Sequence, residues 1–295
     1  MNRDITERVD NTFVESKTVN AYAKFLKGPM DALFLQGPGH AFKTLLNGKW
    51  LEHPLHPVLT DVPVGAWTIV ILLDLLSLFG LVPQLGLASA IALGFGVLGA
   101  LATIVTGLFD WMDVDPPELA IGVMHGTINI VATVLMAVTF FMRSGANWEI
   151  SMGAFLVALV GYLLLTVGAF IGGSLVYRRG VMINRNAHRR EPDDFVNAIA
   201  LKDLPDGKLT RAEAGGQPVV LYRQGDKISA LCAVCSHLGG PLDEGKVRDG
   251  KIECPWHFSQ FALADGSVKS GPATAPVPAY ETRVSNGQVQ VKVRK

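Results

Sequence analysis

Two short stretches toward the C-terminus each pair a thiol with an imidazole: Cys235-Ser236-His237 and Cys254-Pro255-Trp256-His257. Four such donors suit a [2Fe–2S] centre in which Cys235 and Cys254 hold one iron and His237 and His257 the other. The residue types follow from the chemistry. Thiolates stabilise ferric iron, and neutral imidazoles remove negative charge from the cluster and raise its potential. A single zinc ion is the rival reading, because Cys232-x-x-Cys235 with Cys254-x-x-His257 would make a Cys₃His site. That set ignores His237 and leaves the glycines and prolines around the loops unexplained. Cys232 is then spare, and is expected in a strand.

A second group of imidazoles lies upstream. His53-Pro54-Leu55-His56-Pro57 precedes an apolar run, and its prolines are expected to break any helix and fix a rigid turn. His125 stands about 9 Å inside a later run, at the depth of Thr103 and Thr106. Neutral imidazoles at His53, His56 and His125 could ligate haem or a metal ion, or line a quinone pocket. The plainer reading has His56 capping a helix and His125 bonding a carbonyl or Thr106.

The elements that must position these groups are of two kinds. The sequence is 49% hydrophobic and 18% charged, with mean hydropathy +0.31, against about 25% charged for ordinary soluble chains. The deficit is local. Residues 58–176 carry eight charges: Asp61, Asp74, Asp110, Asp113, Asp115, Glu118, Arg143 and Glu149. From Val196 onward the charge density is that of a soluble domain. The sequence therefore predicts a membrane domain followed by a soluble one. Net charge is zero, with 26 basic and 26 acidic residues, which argues against a nucleic-acid partner. Three cysteines do not make a secreted disulfide framework. The polar N-terminus lacks the apolar core of a cleaved signal peptide.

Four runs, about 62–82, 85–110, 119–142 and 150–176, reach the roughly 20 residues needed to cross a bilayer. They predict an all-α four-helix bundle in lipid. The joints are Val82-Pro83-Gln84, residues 113–118 and residues 143–147, and Trp111, Trp148 and Tyr177 sit where interfacial aromatics do. Basic residues crowd the segment before the first run (Arg3, Arg8, Lys17, Lys24, Lys27, Lys43, Lys49) and the one after the fourth (Arg178, Arg179, Arg185, Arg189, Arg190). The two outer loops hold only Arg143. Both termini are thus expected in the cytoplasm of a bacterial inner-membrane protein. Gly122/Gly126, Gly168/Gly172 and Gly94, Gly96 and Gly99 read as helix packing. Asp74, Asn129 and Thr166 are expected to share one buried polar layer. Beyond a short basic linker the pattern turns to β. Pro218–Tyr222 and Lys227–Cys232 flank Gln224-Gly225-Asp226, and Thr282–Val284 and Gln288–Lys292 flank Asn286-Gly287. The expected layout is a cytoplasmic segment 1–57, a four-span domain 58–177, a linker 178–194 and a small all-β domain 195–295.

Two resemblances sharpen this. Cys235-Ser-His237-Leu-Gly-Gly-Pro-Leu242 and Cys254-Pro-Trp-His257-Phe-Ser259-Gln-Phe261, followed by Asp265-Gly266, resemble the two cluster-binding loops of Rieske ferredoxin-type domains. The resemblance spans about 195–295. It departs at Phe258, where such loops usually carry glycine. Gly240 and Trp256 stand where the quinol-oxidising members have an additional disulfide, and Phe261 where they have tyrosine. The run His53 to Gly65, with Asp74 and His125-Gly126, is similar to the bacterial membrane family called domain of unknown function 2231, over about 45–180. The expectation is a membrane-anchored one-electron carrier working with a redox partner protein or quinone. The alternatives are a complete membrane oxidoreductase with haem or quinone in the bundle, or an iron–sulfur sensor governing it. An oxygenase catalytic subunit would need a further iron site that the soluble half lacks.

Overall fold

In lipid a backbone must satisfy its own polar groups, so long apolar segments fold as helices. The computed structural model describes residues 5–35, 37–82 and 84–294. Arg3, Pro83 and Lys295, used in the readings above, lie outside the described residues. The helices are α1 (Ile5–Glu15), α2 (Lys17–Met30), α3 (His40–Leu46), α4 (Leu55–Leu78), α5 (Gly86–Trp111), α6 (Glu118–Ser144) and α7 (Met152–Gly173). Of these, α4 to α7 are long and apolar enough to cross a membrane. Helix α4 begins earlier than the sequence suggested. It takes in Pro57 and Pro63, so the His-Pro run does not stop it. Pro57 falls in the first turn, where a missing N–H has no helical partner to lose.

The chain divides into two units. One holds residues up to Asp31 together with Leu55–Val181, and the other holds Ala32–Pro54 together with the chain from Met182 on. The first is the helical unit. Its core is Trp67, Val70, Leu93, Ala100, Ala132, Met136, Ala158 and Leu165. A Cβ at Gly96 would lie 2.2 Å from the Trp67 ring, and one at Gly94 would lie 2.9 Å from Phe140, so these glycines make room for rings. The expected layer of Asp74, Asn129 and Thr166 does not form. Asp74 instead pairs with the Arg143 guanidinium, both fully buried, and Ser89 Oγ donates to Asp74 Oδ1 at 2.6 Å. Arg143 is therefore a core residue of α6 and not a loop charge. Asn129 donates to the His125 carbonyl at 2.8 Å, and the exposed Thr166 bonds Leu163. Burying a carboxylate demands a cation, which a depth estimate along each helix cannot reveal.

The second unit is the β domain. A six-stranded antiparallel sheet runs in the order β1 (Val196–Ala200), β10 (Gln288–Val293), β9 (Ala279–Ser285), β4 (Lys227–Cys232), β3 (Gln217–Gln224), β2 (Leu209–Ala214). A four-stranded sheet follows chain order: β5 (Lys246–Arg248), β6 (Lys251–Glu253), β7 (Gln260–Ala262) and β8 (Val268–Ser270). Val219, Leu221, Leu231, Ile252, Phe261, Val289 and Val291 fill the core. The stretch expected as a linker is tied down. The Arg185 N–H donates to the Ser236 carbonyl at 3.0 Å, Asn186 Nδ2 to the Val234 carbonyl at 2.9 Å, and Arg189 to Gln217 at 3.1 Å. Residues 32–54 also belong here. His40 meets Ser270 Oγ at 2.7 Å, and Lys49 donates to the Lys269 carbonyl at 2.7 Å.

Candidate metal centre

Strands β4 and β6 each end where a ligand loop begins. The two loops close by the same pair of backbone hydrogen bonds. In the first, the Cys235 N–H donates to the Gly240 carbonyl at 2.9 Å and the Gly239 N–H to the Cys235 carbonyl at 3.0 Å. In the second, the Cys254 N–H donates to the Ser259 carbonyl at 2.8 Å and the Phe258 N–H to the Cys254 carbonyl at 3.2 Å. Corresponding residues turn the corner with positive φ, 86° at Gly239 and 60° at Phe258. The departure from glycine thus keeps the left-handed backbone, at a steric cost that glycine would not carry.

The fold brings the four predicted donors together, thiol with thiol and imidazole with imidazole. The Cys235 and Cys254 thiols hydrogen-bond each other. The His237 and His257 ring centroids are 5.1 Å apart with planes at 87°. All four are buried. Among the described residues no three His, Cys, Asp or Glu side chains form a single-ion site. Cys232, which the zinc alternative requires as a ligand, has its thiol in β4 facing Asn186 Oδ1 at 3.5 Å.

The electrostatics suit metal ligation. His237 is held well below the usual histidine range, first by burial and then by His257, Lys43 and Arg185. It is therefore a neutral imidazole, the form that binds metal. Among the described residues its buried Nε2 has no hydrogen-bond partner, a cost of about 1–3 kcal/mol that iron would relieve. Of the two thiols, Cys254 deprotonates first. The Cys235 thiol and the backbone N–H groups of Trp256 and His257 hold it down to about 7, against burial. At Gly240 an added Cβ would lie 2.7 Å from Cys254 Sγ, so only glycine leaves space beside the thiol. These observations fit a cluster held by two loops. Lys43 and Arg185 were missed by sequence reading. They lie far from the motif in the chain, and no local pattern marks a residue that reaches a site through folding.

A small β domain whose paired loops present two thiols and two neutral imidazoles is of the Rieske class. The family model "Rieske [2Fe-2S] domain" matches residues 194–281, and "Predicted membrane protein (DUF2231)" matches residues 52–185. The anthranilate 1,2-dioxygenase ferredoxin subunit of Burkholderia cepacia is 36% identical over 94 residues, 32% of this chain and 87% of that protein. Ferredoxin CarAc of Metapseudomonas resinovorans is 32% identical over 102 residues, 34% of this chain and 95% of that protein. Among solved structures, the ferredoxin of carbazole 1,9a-dioxygenase from Nocardioides aromaticivorans IC177 shares 30% identity over 34% of this chain and 98% of that one, with a TM-score of 0.32. The chain belongs to the Rieske [2Fe–2S] family, and its N-terminal half is a membrane domain of the second type. That family membership gives it a [2Fe–2S] cluster and an electron-transfer role.

The upstream histidines separate. His53 is exposed, with Nδ1 3.2 Å from the Pro54 carbonyl. His56, in α4, and His125, in α6, come together with ring centroids 6.2 Å apart.

Proposed function

We propose that this protein is a membrane-tethered one-electron carrier whose cluster is held by Cys235 and Cys254 on one iron and by His237 and His257 on the other. The observation that carries the reading is the pair of identically closed loops, with an orphaned imidazole nitrogen and a thiol pair between them. When bound, the cluster takes up and releases one electron. The chain's residues do the rest. Gly240 leaves room beside Cys254, burial keeps the imidazoles neutral, and Lys43 and Arg185 supply positive charge near His237. Trp256 is half exposed on the second loop and offers a contact for a redox partner protein. Relatives named as ferredoxin subunits or components of dioxygenases support a redox partner protein.

The placement proposed is a bacterial inner membrane, with the cluster domain in the cytoplasm. Removing Arg143 from the outer loops strengthens the charge asymmetry behind this orientation. A second reading, haem or quinone in the bundle, is favoured by the pairing of His56 with His125. Reduced, purified protein is expected to give a Rieske-type EPR signal with two irons and two labile sulfides per chain. Cys235→Ser, His237→Ala, Cys254→Ser and His257→Ala should each abolish it, and Cys232→Ser should not. Stoichiometric zinc without labile sulfide would refute the assignment.

A further inference from the structure

The membrane unit is built from two copies of one helical hairpin. The buried positions of α4 are Pro63, Trp67, Val70 and Asp74. At one constant spacing they recur in α6 as Ala132, Met136, Thr139 and Arg143, all buried. Helices α5 and α7 repeat likewise. Ser89, Ala90, Leu93, Gly96, Ala100 and Thr106 correspond in order to Ala154, Phe155, Ala158, Gly161, Leu165 and Ile171, and every one is buried. The contacts repeat too. A Cβ on Gly96 would strike Trp67, and one on the matching Gly161 would approach matching Met136 at 3.2 Å. Asp74 and Arg143, which pair in the core, are equivalents of each other. Two such hairpins entering from the same side are related by a pseudo-two-fold axis along the bundle, and the pair lies on it.

His56 and His125 occupy equivalent positions by the same spacing. His56 Nδ1 lies 3.0 Å from the Thr103 carbonyl, and His125 Nδ1 lies 2.8 Å from the carbonyl of Gly168, the equivalent residue. Each ring packs over a glycine one turn further on. A Cβ at Gly107 would lie 2.7 Å from His56, and one at the equivalent Gly172 would lie 2.7 Å from His125. The two rings meet across the axis at 6.2 Å with planes at 89°. Two plain helix caps would not need matched carbonyls, matched glycines and a meeting point on the axis.

The hydrogen bonds decide what such a pair can bind. The nearest partner of each Nδ1 is a carbonyl, which only accepts, so each Nδ1 carries the proton and each Nε2 presents a lone pair. Asn129 Nδ2 lies farther from His125 Nδ1, at 3.3 Å, and donates instead to the His125 carbonyl at 2.8 Å. Among the described residues neither Nε2 has a hydrogen-bond partner. Two lone pairs cannot donate to a quinone's carbonyls, but they can ligate metal. With metal–nitrogen bonds of about 2 Å and about 1.1 Å from nitrogen to ring centre, two imidazoles on opposite sides of one metal would have centroids about 6.2 Å apart, the spacing observed. Among the described residues no third His, Cys, Asp or Glu completes a single-ion site, so the remaining ligands must come with the metal. All three cysteines, Cys232, Cys235 and Cys254, lie in the β domain, so the group is held without thioether links.

The geometry points to a haem bound non-covalently on the pseudo-two-fold axis, with His56 and His125 as its two axial ligands. This deepens the membrane-cofactor reading above and excludes His53 from the site.

The test is the full chain, expressed with added hemin and purified in detergent. One low-spin haem per chain is expected. His56→Ala and His125→Ala should each lose more than about tenfold of it, while His53→Ala keeps it. The Rieske EPR signal should persist in all three, so a failed cluster assignment and a failed haem assignment are read separately. Where an alanine variant does not fold, His56→Met or His125→Met decides. Haem retained with a raised midpoint supports the site, and an unchanged midpoint overturns it. The proposal is also overturned if folded wild-type protein takes up no hemin, if it carries stoichiometric copper or zinc in haem's place, or if the double alanine variant keeps its haem.

Discussion

At the residue scale the cluster loops are governed by one backbone corner and one missing side chain. Phe258 holds φ of 60° where its counterpart Gly239 has 86°. Phe258→Gly should remove about 1 kcal/mol of steric strain. The thermal midpoint for loss of the cluster's visible absorbance should therefore rise by a few degrees, and a fall would show that the phenyl ring's packing outweighs the strain. Gly240→Ala should do the reverse. Its Cβ would meet Cys254 Sγ at 2.7 Å, so iron and labile sulfide per chain should drop well below wild type while the helical far-UV signal stays. Charge near the ligands acts on potential. Lys43 and Arg185 bear on His237, and a cation favours the more negative, reduced cluster. Lys43→Met should lower the midpoint by about 30–60 mV, roughly 0.7–1.4 kcal/mol for one electron, and Lys43→Arg should largely restore it. Redox titration followed by EPR separates these outcomes. The wild-type midpoint itself should lie in the lower half of the Rieske range of about −150 to +300 mV. Phe261, buried in the middle of β7, offers no hydroxyl.

At the scale of elements, the membrane hairpins explain why a buried ion pair is tolerated. Asp74 and Arg143 occupy equivalent places on α4 and α6, and Ser89 bonds both. Removing either partner should cost about 3–5 kcal/mol, because the other charge is left buried alone. The duplication makes a sharper statement. Exchanging the two, Asp74→Arg with Arg143→Asp, should be tolerated better than Asp74→Asn or Arg143→Met. Thermal aggregation in detergent reads this directly, and a double variant worse than both single variants would count against equivalence of the two hairpins.

At the scale of the molecule, the chain passes between its units after Asp31, after Pro54 and after Val181, so the cluster domain is attached by three chain crossings and not one tether. Its expected compartment is the cytoplasm. A reporter fused after Lys295 should be active only there, and one inserted at Gly145 only outside. An active periplasmic C-terminal fusion would move the search for a redox partner to the opposite face.

The Rieske-type motifs, the four apolar helices and the β character of the C-terminal half were legible in the sequence because each is local. A Cys-x-His motif, an apolar run and an Asn-Gly turn between alternating residues carry their meaning within a few positions. What needed the tertiary structure was every pairing across distance. Depth along a helix does not reveal which way a side chain faces, so Asp74 was grouped with Asn129 and Thr166 when its partner is Arg143. Three histidines of similar chemistry could not be sorted until folding set His56 against His125 and left His53 exposed. The hairpin duplication escaped notice because packing conserves which positions are buried, not which residues fill them. Trp67 corresponds to Met136 and Asp74 to Arg143, and only the three-dimensional contacts make them equivalents.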